Sequence, residues 1–157
     1  MRARRTVRVF VFDETGRVLL IRCAMVLKNG EDFVFWVTPG GEIEPGEEPR
    51  EAAVRELREE LGLDLEVRGP LYTEANRFEL AGEMRDNVDH WFVTRCAADA
   101  PKMKGVTAEE LAMMQEMRWW SAKEVERALA DGVKIFPGDL VARMREFGER
   151  EVSESAD

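Results

Sequence analysis

Gly41 to Leu63 read GEIEPGEEPREAAVRELREELGL, and the reading of this stretch decides the rest. It holds eight glutamates (Glu42, Glu44, Glu47, Glu48, Glu51, Glu56, Glu59, Glu60) against three arginines (Arg50, Arg55, Arg58). Pro45-Gly46 marks a turn, and Pro49 suits the first turn of a helix. Ala52, Ala53, Leu57 and Leu61 recur at helical spacing, and Gly62 stands where a helix ends in a left-handed residue. Glu56 lies three residues before Glu59 and four before Glu60, so the three carboxylates share one helical face. Like charges at these spacings repel by a few tenths of a kcal/mol per pair. A solvated helix would alternate signs here, with Arg55 and Arg58 expected elsewhere on the wheel. Hard oxygen ligands converging beside a glycine turn describe a Mg²⁺ or Mn²⁺ site with positions open to water and phosphate oxygens.

The pattern Gly41-x5-Glu47-x7-Arg55-Glu56-Leu57-x-Glu59-Glu60-x-Gly62-Leu63 resembles the Nudix box, G-x5-E-x7-R-E-U-x-E-E-x-G-U with U apolar, at every specified position. Phe35-Trp36-Val37-Thr38-Pro39-Gly40-Gly41 is similar to the strand and glycine turn leading into that box, and Met117 to Ser121 to a late strand of many members. The resemblance implies a Nudix-type α/β/α sandwich around a mixed β-sheet and, for most members, hydrolysis of a nucleoside diphosphate linked to another group, with Mg²⁺ or Mn²⁺. It implies that Glu56, Glu59, Glu60 and the Gly41 carbonyl bind metal, and that Glu47 pairs with Arg55 to steady the loop. Gly62 and Leu63 are structural. The base that takes a proton from water is Glu56 or a glutamate outside the box, Glu109, Glu110 and Glu116 lying where several members place one. For Glu110 a capping box with Thr107 competes.

Outward from the box, apolar alternation predicts strands over Thr6–Phe12 and Arg17–Arg22, joined by Asp13-Glu14-Thr15-Gly16. Ala24–Asp32 reads as a loop and Phe33–Val37 as a strand. Leu63–Asn76 reads as extended with a break at Gly69-Pro70, Ala81–Asn87 as a polar loop, Val88–Cys96 as a strand and Ala97–Gly105 as a loop. A short helix is expected over Thr107–Met114, a strand over Glu116–Trp120, a helix capped by Ser121 with Glu124, and a last helix over Pro137–Phe147. Strands mixed with helices in this order give a mixed sheet flanked by helices. The 157 residues make a single domain, taken as 1–147, with a charged tail, 148–157, expected to fray.

The net charge of −9 argues against DNA binding through a general field, and permits a metal. Two cysteines, Cys23 and Cys96, form no disulfide framework and have no metal-ligand spacing, which points to a reducing, cytoplasmic setting. The apolar run after Arg5 is too short for a membrane span or leader. No P-loop motif occurs.

Substrate choice lies outside the box. Phe78-Glu79-Leu80-Ala81 carries neither the proline nor the tyrosine that marks some subclasses, so the nucleotide stays open. Arg22 is a candidate for a phosphate or base, with a surface arginine as the competing reading. Phe78, Trp91, Trp119 and Trp120 are stacking candidates, each more commonly core; adjacent Trp119 and Trp120 must face opposite sides. His90, the single histidine, reads as a hydrogen-bonded strand residue. A nucleotide-sensing regulator without turnover is the alternative, against which the intact glutamates count. An isoprenoid diphosphate isomerase would need a pocket cysteine in a matching motif, which neither cysteine has. Many members are dimers; the sequence itself offers no interface for a homodimer.

Overall fold

The computed structural model of the chain describes residues 4–80, 83–102 and 114–148, with the backbone alone at 78–80 and 115. Val7, Val9 and Val11 leave one side of strand β1 (Arg4–Phe12), Phe10 and Phe12 the other, and all five are fully buried. A strand buried on both faces needs a layer on each. On the valine side lies helix α1 (Pro49–Leu61), whose Ala52, Ala53, Leu57 and Leu61 pack on Val7, Val9, Val11, Leu19 and Phe92. On the phenylalanine side, helices α2 (Ala122–Ala130) and α3 (Leu140–Arg143) bring Val125 and Leu140 against Phe10, Phe12, Leu20, Trp36 and Trp120. The result is the expected α/β/α sandwich.

Between the layers, β2 (Val18–Val26) meets β1 at the Phe12–Val18 pair and the two then part. Each is continued by a different neighbour. The short β4 (Gly40–Glu42) runs along β1, with Arg8 opposite Gly40, and β7 (Met114–Trp120) runs along β2. Beyond β2 come β3 (Asp32–Val37) and, parallel to it, β8 (Ile135–Phe136). On the far side of β1 lies the parallel β6 (Glu83–Arg95), and β5 (Arg68–Leu80) pairs antiparallel with β6. Thr38 and Pro39 carry the chain across the wedge between the parted strands, from β3 to β4. There the Pro39 carbonyl accepts from the Val9 N–H at 2.9 Å.

Four expectations need correcting. β2 continues to Val26 and β3 begins at Asp32, so the loop between them is shorter than Ala24–Asp32. Residues 83–87, read as loop for their polarity, belong to β6; at 83–86 the β5–β6 ribbon extends past the core, where polar side chains are at no disadvantage, while the buried Asn87 donates to Thr6 and Asp89. Gly40–Glu42 is a strand, not an irregular loop. The last helical segment starts at Leu140 rather than Pro137 and widens into a π-helical turn over Met144–Gly148. The helix expected at Thr107–Met114 falls, save Met114, outside the described residues, as does the tail after Gly148. Trp120 enters the core beside α2, while Trp119 faces the α1 side and donates its indole N–H to the Ala98 carbonyl at 2.9 Å.

Candidate functional site

Helix α1 forms for the reasons its sequence suggests. Pro49 opens it, and Gly62 closes it in the left-handed region at φ 71°, its N–H returning to the Arg58 carbonyl at 3.0 Å. Burial of Leu57 and Leu61 fixes its rotation and turns Glu56 and Glu60 toward the β3–β4 crossing.

Two contacts tie the helix to that crossing. Glu60, a buried carboxylate, accepts the Gly40 amide at 2.9 Å. The Glu56 carboxyl lies against Gly41 so closely that a Cβ there would sit 2.5 Å from its Cδ. A Cβ at Gly40 would fall onto the Val7 carbonyl oxygen. Glycines at 40 and 41 are thus required by close approach, one to the strand and one to the acid.

Arg55 organises the remaining acids. Its Nε and Nη2 donate to the two oxygens of Glu47 at 2.8 and 2.9 Å, a bidentate pair. Nη2 also donates to the Glu42 carbonyl at 3.0 Å, and Nη1 to Glu56 at 3.0 Å and Glu59 at 3.3 Å. Arg55 therefore does not point elsewhere on the wheel. It is four residues from Glu59, within reach of a long side chain, and it offsets the repulsion that the glutamate spacing creates. The Glu47 carboxyl is held below its usual range by the hydrogen bond from Arg55, and Arg55 is held more firmly protonated by the same bond.

The structure thus brings together Gly41, Glu47, Arg55, Glu56, Glu59 and Glu60. Among the described residues, no three acidic, histidine or cysteine side chains are arranged as a finished metal cage. Glu56 and Glu59 face Arg55 while Glu60 faces an amide, so an ion would compete with the guanidinium. The donor chemistry nevertheless fits a hard divalent cation: carboxylate oxygens on one helix side, a backbone kept open by glycine, and neither thiolate nor imidazole among them.

The other candidates lie apart. Arg22 sits on β2 between Ile21 and Cys23, whose side chains pack together with Met114. Alternation therefore sends Arg22 to the opposite face, opposite Trp36 and Glu116 in the ladder. Alternation puts Cys23 on the same face of β2 as Leu19, which packs under α1; burial raises its thiol to about 11, with Arg8 pulling down and Glu60 pushing up. Strand parity could have separated Arg22 from Cys23 had the strand's inner face been known. Phe78 lies on β5 opposite Arg85 in the ladder, and its side chain is not among those described. Glu109 and Glu110 are outside the described residues. His90 is a strand residue, but its Nε2 is buried without a hydrogen-bond partner among the described residues. Burial, then the Arg5 charge, lower its pKa. Arg8 and Thr38, which sequence reasoning did not single out, meet at the crossing: Arg8 Nη1 donates to the Thr38 carbonyl at 3.1 Å.

Comparison with known proteins bears on the family and the fold. A family model described as the NUDIX domain matches residues 2–144. An uncharacterized Nudix hydrolase, orf19, of Rhodococcus erythropolis is 32% identical over 111 residues, which cover 69% of this chain and 57% of that protein. An RNA pyrophosphohydrolase of Erythrobacter litoralis is 29% identical over 132 residues, 69% of this chain and 80% of the relative. Among solved structures, the E. coli ORF135 protein superimposes with a TM-score of 0.60 at 25% identity, covering 100% of this chain and 96% of that one.

Proposed function

Because the chain belongs to the Nudix family, we propose that it is a hydrolase cleaving the pyrophosphate linkage of a nucleoside diphosphate derivative, with Mg²⁺ or Mn²⁺. The observation that carries this reading is the acid set of α1, with Glu60 and Glu56 held against Gly40 and Gly41 and Glu59 joined to Glu56 through Arg55. Relatives named RNA pyrophosphohydrolase and CTP pyrophosphohydrolase support a nucleotide-type substrate.

In this reading Glu56, Glu59, Glu60 and the Gly41 carbonyl hold the ion. When bound, a divalent ion offsets the charge of the diphosphate and makes water a stronger acid. The protein's own part is positional. Glu60 is fixed by the Gly40 amide, and Glu56 by Gly41 on one side and Arg55 on the other. Glu47 and Arg55 lock the loop before α1 to the helix, so the backbone at Gly41 keeps its place. A carboxylate accepts the proton of the attacking water, Glu56 being the candidate within the box.

The test is a panel of nucleoside diphosphate derivatives with Mg²⁺ or Mn²⁺, products being read by chromatography. Wild-type protein turns over at least one member, and Glu59→Gln or Glu60→Gln lowers that turnover by several orders of magnitude in a folded protein. Wild-type rates in both variants refute the assignment of the acids. Tight binding without product across the panel favours a sensor.

A further inference from the structure

Among the described residues Arg8 is a cation without a counter-ion, in a chain that carries an excess of acids. Its guanidinium is half-buried, its single hydrogen bond among the described residues goes to a neutral carbonyl, that of Thr38, and no described carboxylate lies within ion-pair distance of it. The other arginine of this region, Arg55, is saturated by Glu47, Glu56 and Glu59. Holding a guanidinium half out of water with one neutral partner is costly, and a charged partner normally offsets that cost.

Its position is specific. Arg8 stands directly opposite Gly40 in the β1–β4 ladder, and the Gly40 amide holds Glu60. Its guanidinium reaches Thr38, two residues before Gly40, at the crossing between the parted strands. The Thr38 hydroxyl is fully buried and has no partner among the described residues. Fork-shaped donors left over at the β3–β4 crossing, next to the Gly40 backbone that holds Glu60, suit an anion with several oxygens.

We propose that Arg8 is a substrate-anchoring residue, whose free guanidinium donors receive a phosphate oxygen of the diphosphate on the β1 side of the acid cluster. The proposal rests on the hydrolase reading for the identity of the anion. It divides the work: the α1 acids act on the linkage that breaks, and Arg8 contributes to holding the substrate before and during that event. The box positions alone do not specify such a cation, so Arg8 is a feature of this chain's own β1.

The experiment measures kcat and KM for a panel member that the wild type hydrolyses. In parallel, binding of inorganic pyrophosphate with Mg²⁺ is measured by calorimetry at low and high salt, for wild type, Arg8→Met and Arg8→Lys. Loss of a charge-assisted contact predicts that Arg8→Met raises KM and weakens pyrophosphate binding roughly ten- to a hundredfold, keeps kcat within about threefold, and flattens the salt dependence. Arg8→Lys, which keeps the charge but not the fork, falls between. If Arg8 only pins the Thr38 carbonyl, the Met variant lowers kcat through Glu60 and leaves pyrophosphate affinity and its salt dependence unchanged; that result overturns the proposal. Should Arg8→Met fail to fold, wild-type affinity in Arg8→Lys overturns it equally. If no panel member is hydrolysed, the hydrolase reading fails by itself, and the pyrophosphate titration still judges Arg8: equal affinity, or none in the wild type, overturns it.

Discussion

Gly41→Ala separates folding from chemistry at one atom. The Gly41 backbone needs no left-handed conformation, so alanine is tolerated by the main chain; what it meets is the Glu56 side chain, with Cδ 2.5 Å from the new Cβ. The carboxyl must swing out, losing its 3.0 Å bond from Arg55 Nη1. A hydrogen bond to a charged group contributes about 1.5–3 kcal/mol, but partial exposure of this pair reduces that to about 1 kcal/mol. For a chain of this size, about 1 kcal/mol lowers Tm by roughly 2–4 °C. If Glu56 holds the ion as proposed, catalysis suffers far more, because a displaced ligand costs at least as much as a lost supporting residue, roughly ten- to a hundredfold in activity. Gly40→Ala is the contrasting case: its Cβ strikes the Val7 carbonyl, which belongs to the buried central strand and cannot move. That variant loses stability first. The assay is a thermal melt beside steady-state turnover for both variants. A Gly41→Ala protein with wild-type kcat refutes the reasoning, since Glu56 would then have no role in its observed place.

Other consequences are simpler. Leu57→Ala, at a fully buried position under the box, costs about 2–5 kcal/mol, seen as a lower denaturant midpoint, while kcat of the folded fraction is retained. Asp13 is fully buried. Burial by itself raises its pKa, but hydrogen bonds from Thr15 and Arg17 outweigh this and hold the carboxyl below its ordinary range. A lowered carboxyl pKa stabilises the fold above the unfolded-state pKa and ceases to do so as pH falls through the folded value. Asp13→Asn therefore melts lower than wild type at pH 7, by about 1–3 kcal/mol, and the gap closes below about pH 4. Burial, chiefly, raises both Cys23 and Cys96 to about 11, so a thiol reagent at pH 8 leaves both unmodified in the native protein and modifies both after denaturation.

Much of the architecture was legible because it is written locally. The α1 stripe of Ala52, Ala53, Leu57 and Leu61, the Gly62 stop and the reciprocal cap of Ser121 and Glu124 depend on residues within a few positions of each other. What escaped is held by distant backbone. Strand β4 is three residues with two glycines, and it exists because Val7 and Arg8 offer a free ladder where β2 departs. Strand β8 is two residues placed by β3. The β5–β6 ribbon is polar past the core, so period-two alternation fades there. In the site, spacing identified which acids share a side of α1, but the reach of Arg55 along the helix was misjudged. The parity of β2, which puts Cys23 rather than Arg22 on the face shared with Leu19, needed the sheet. Arg8 carried no signal, because whether a charge finds a partner depends on the surroundings that the fold supplies.

The most direct measurement is anomalous diffraction from crystals soaked in Mn²⁺ with a slowly hydrolysed diphosphate. The account predicts a manganese peak touching carboxylate oxygens of Glu56, Glu59 and Glu60 and the Gly41 carbonyl, with Glu59 released from Arg55 and the diphosphate bridging the ion and the protein. Density for the diphosphate with the manganese elsewhere, and Glu56 and Glu59 still on the Arg55 guanidinium, would contradict it.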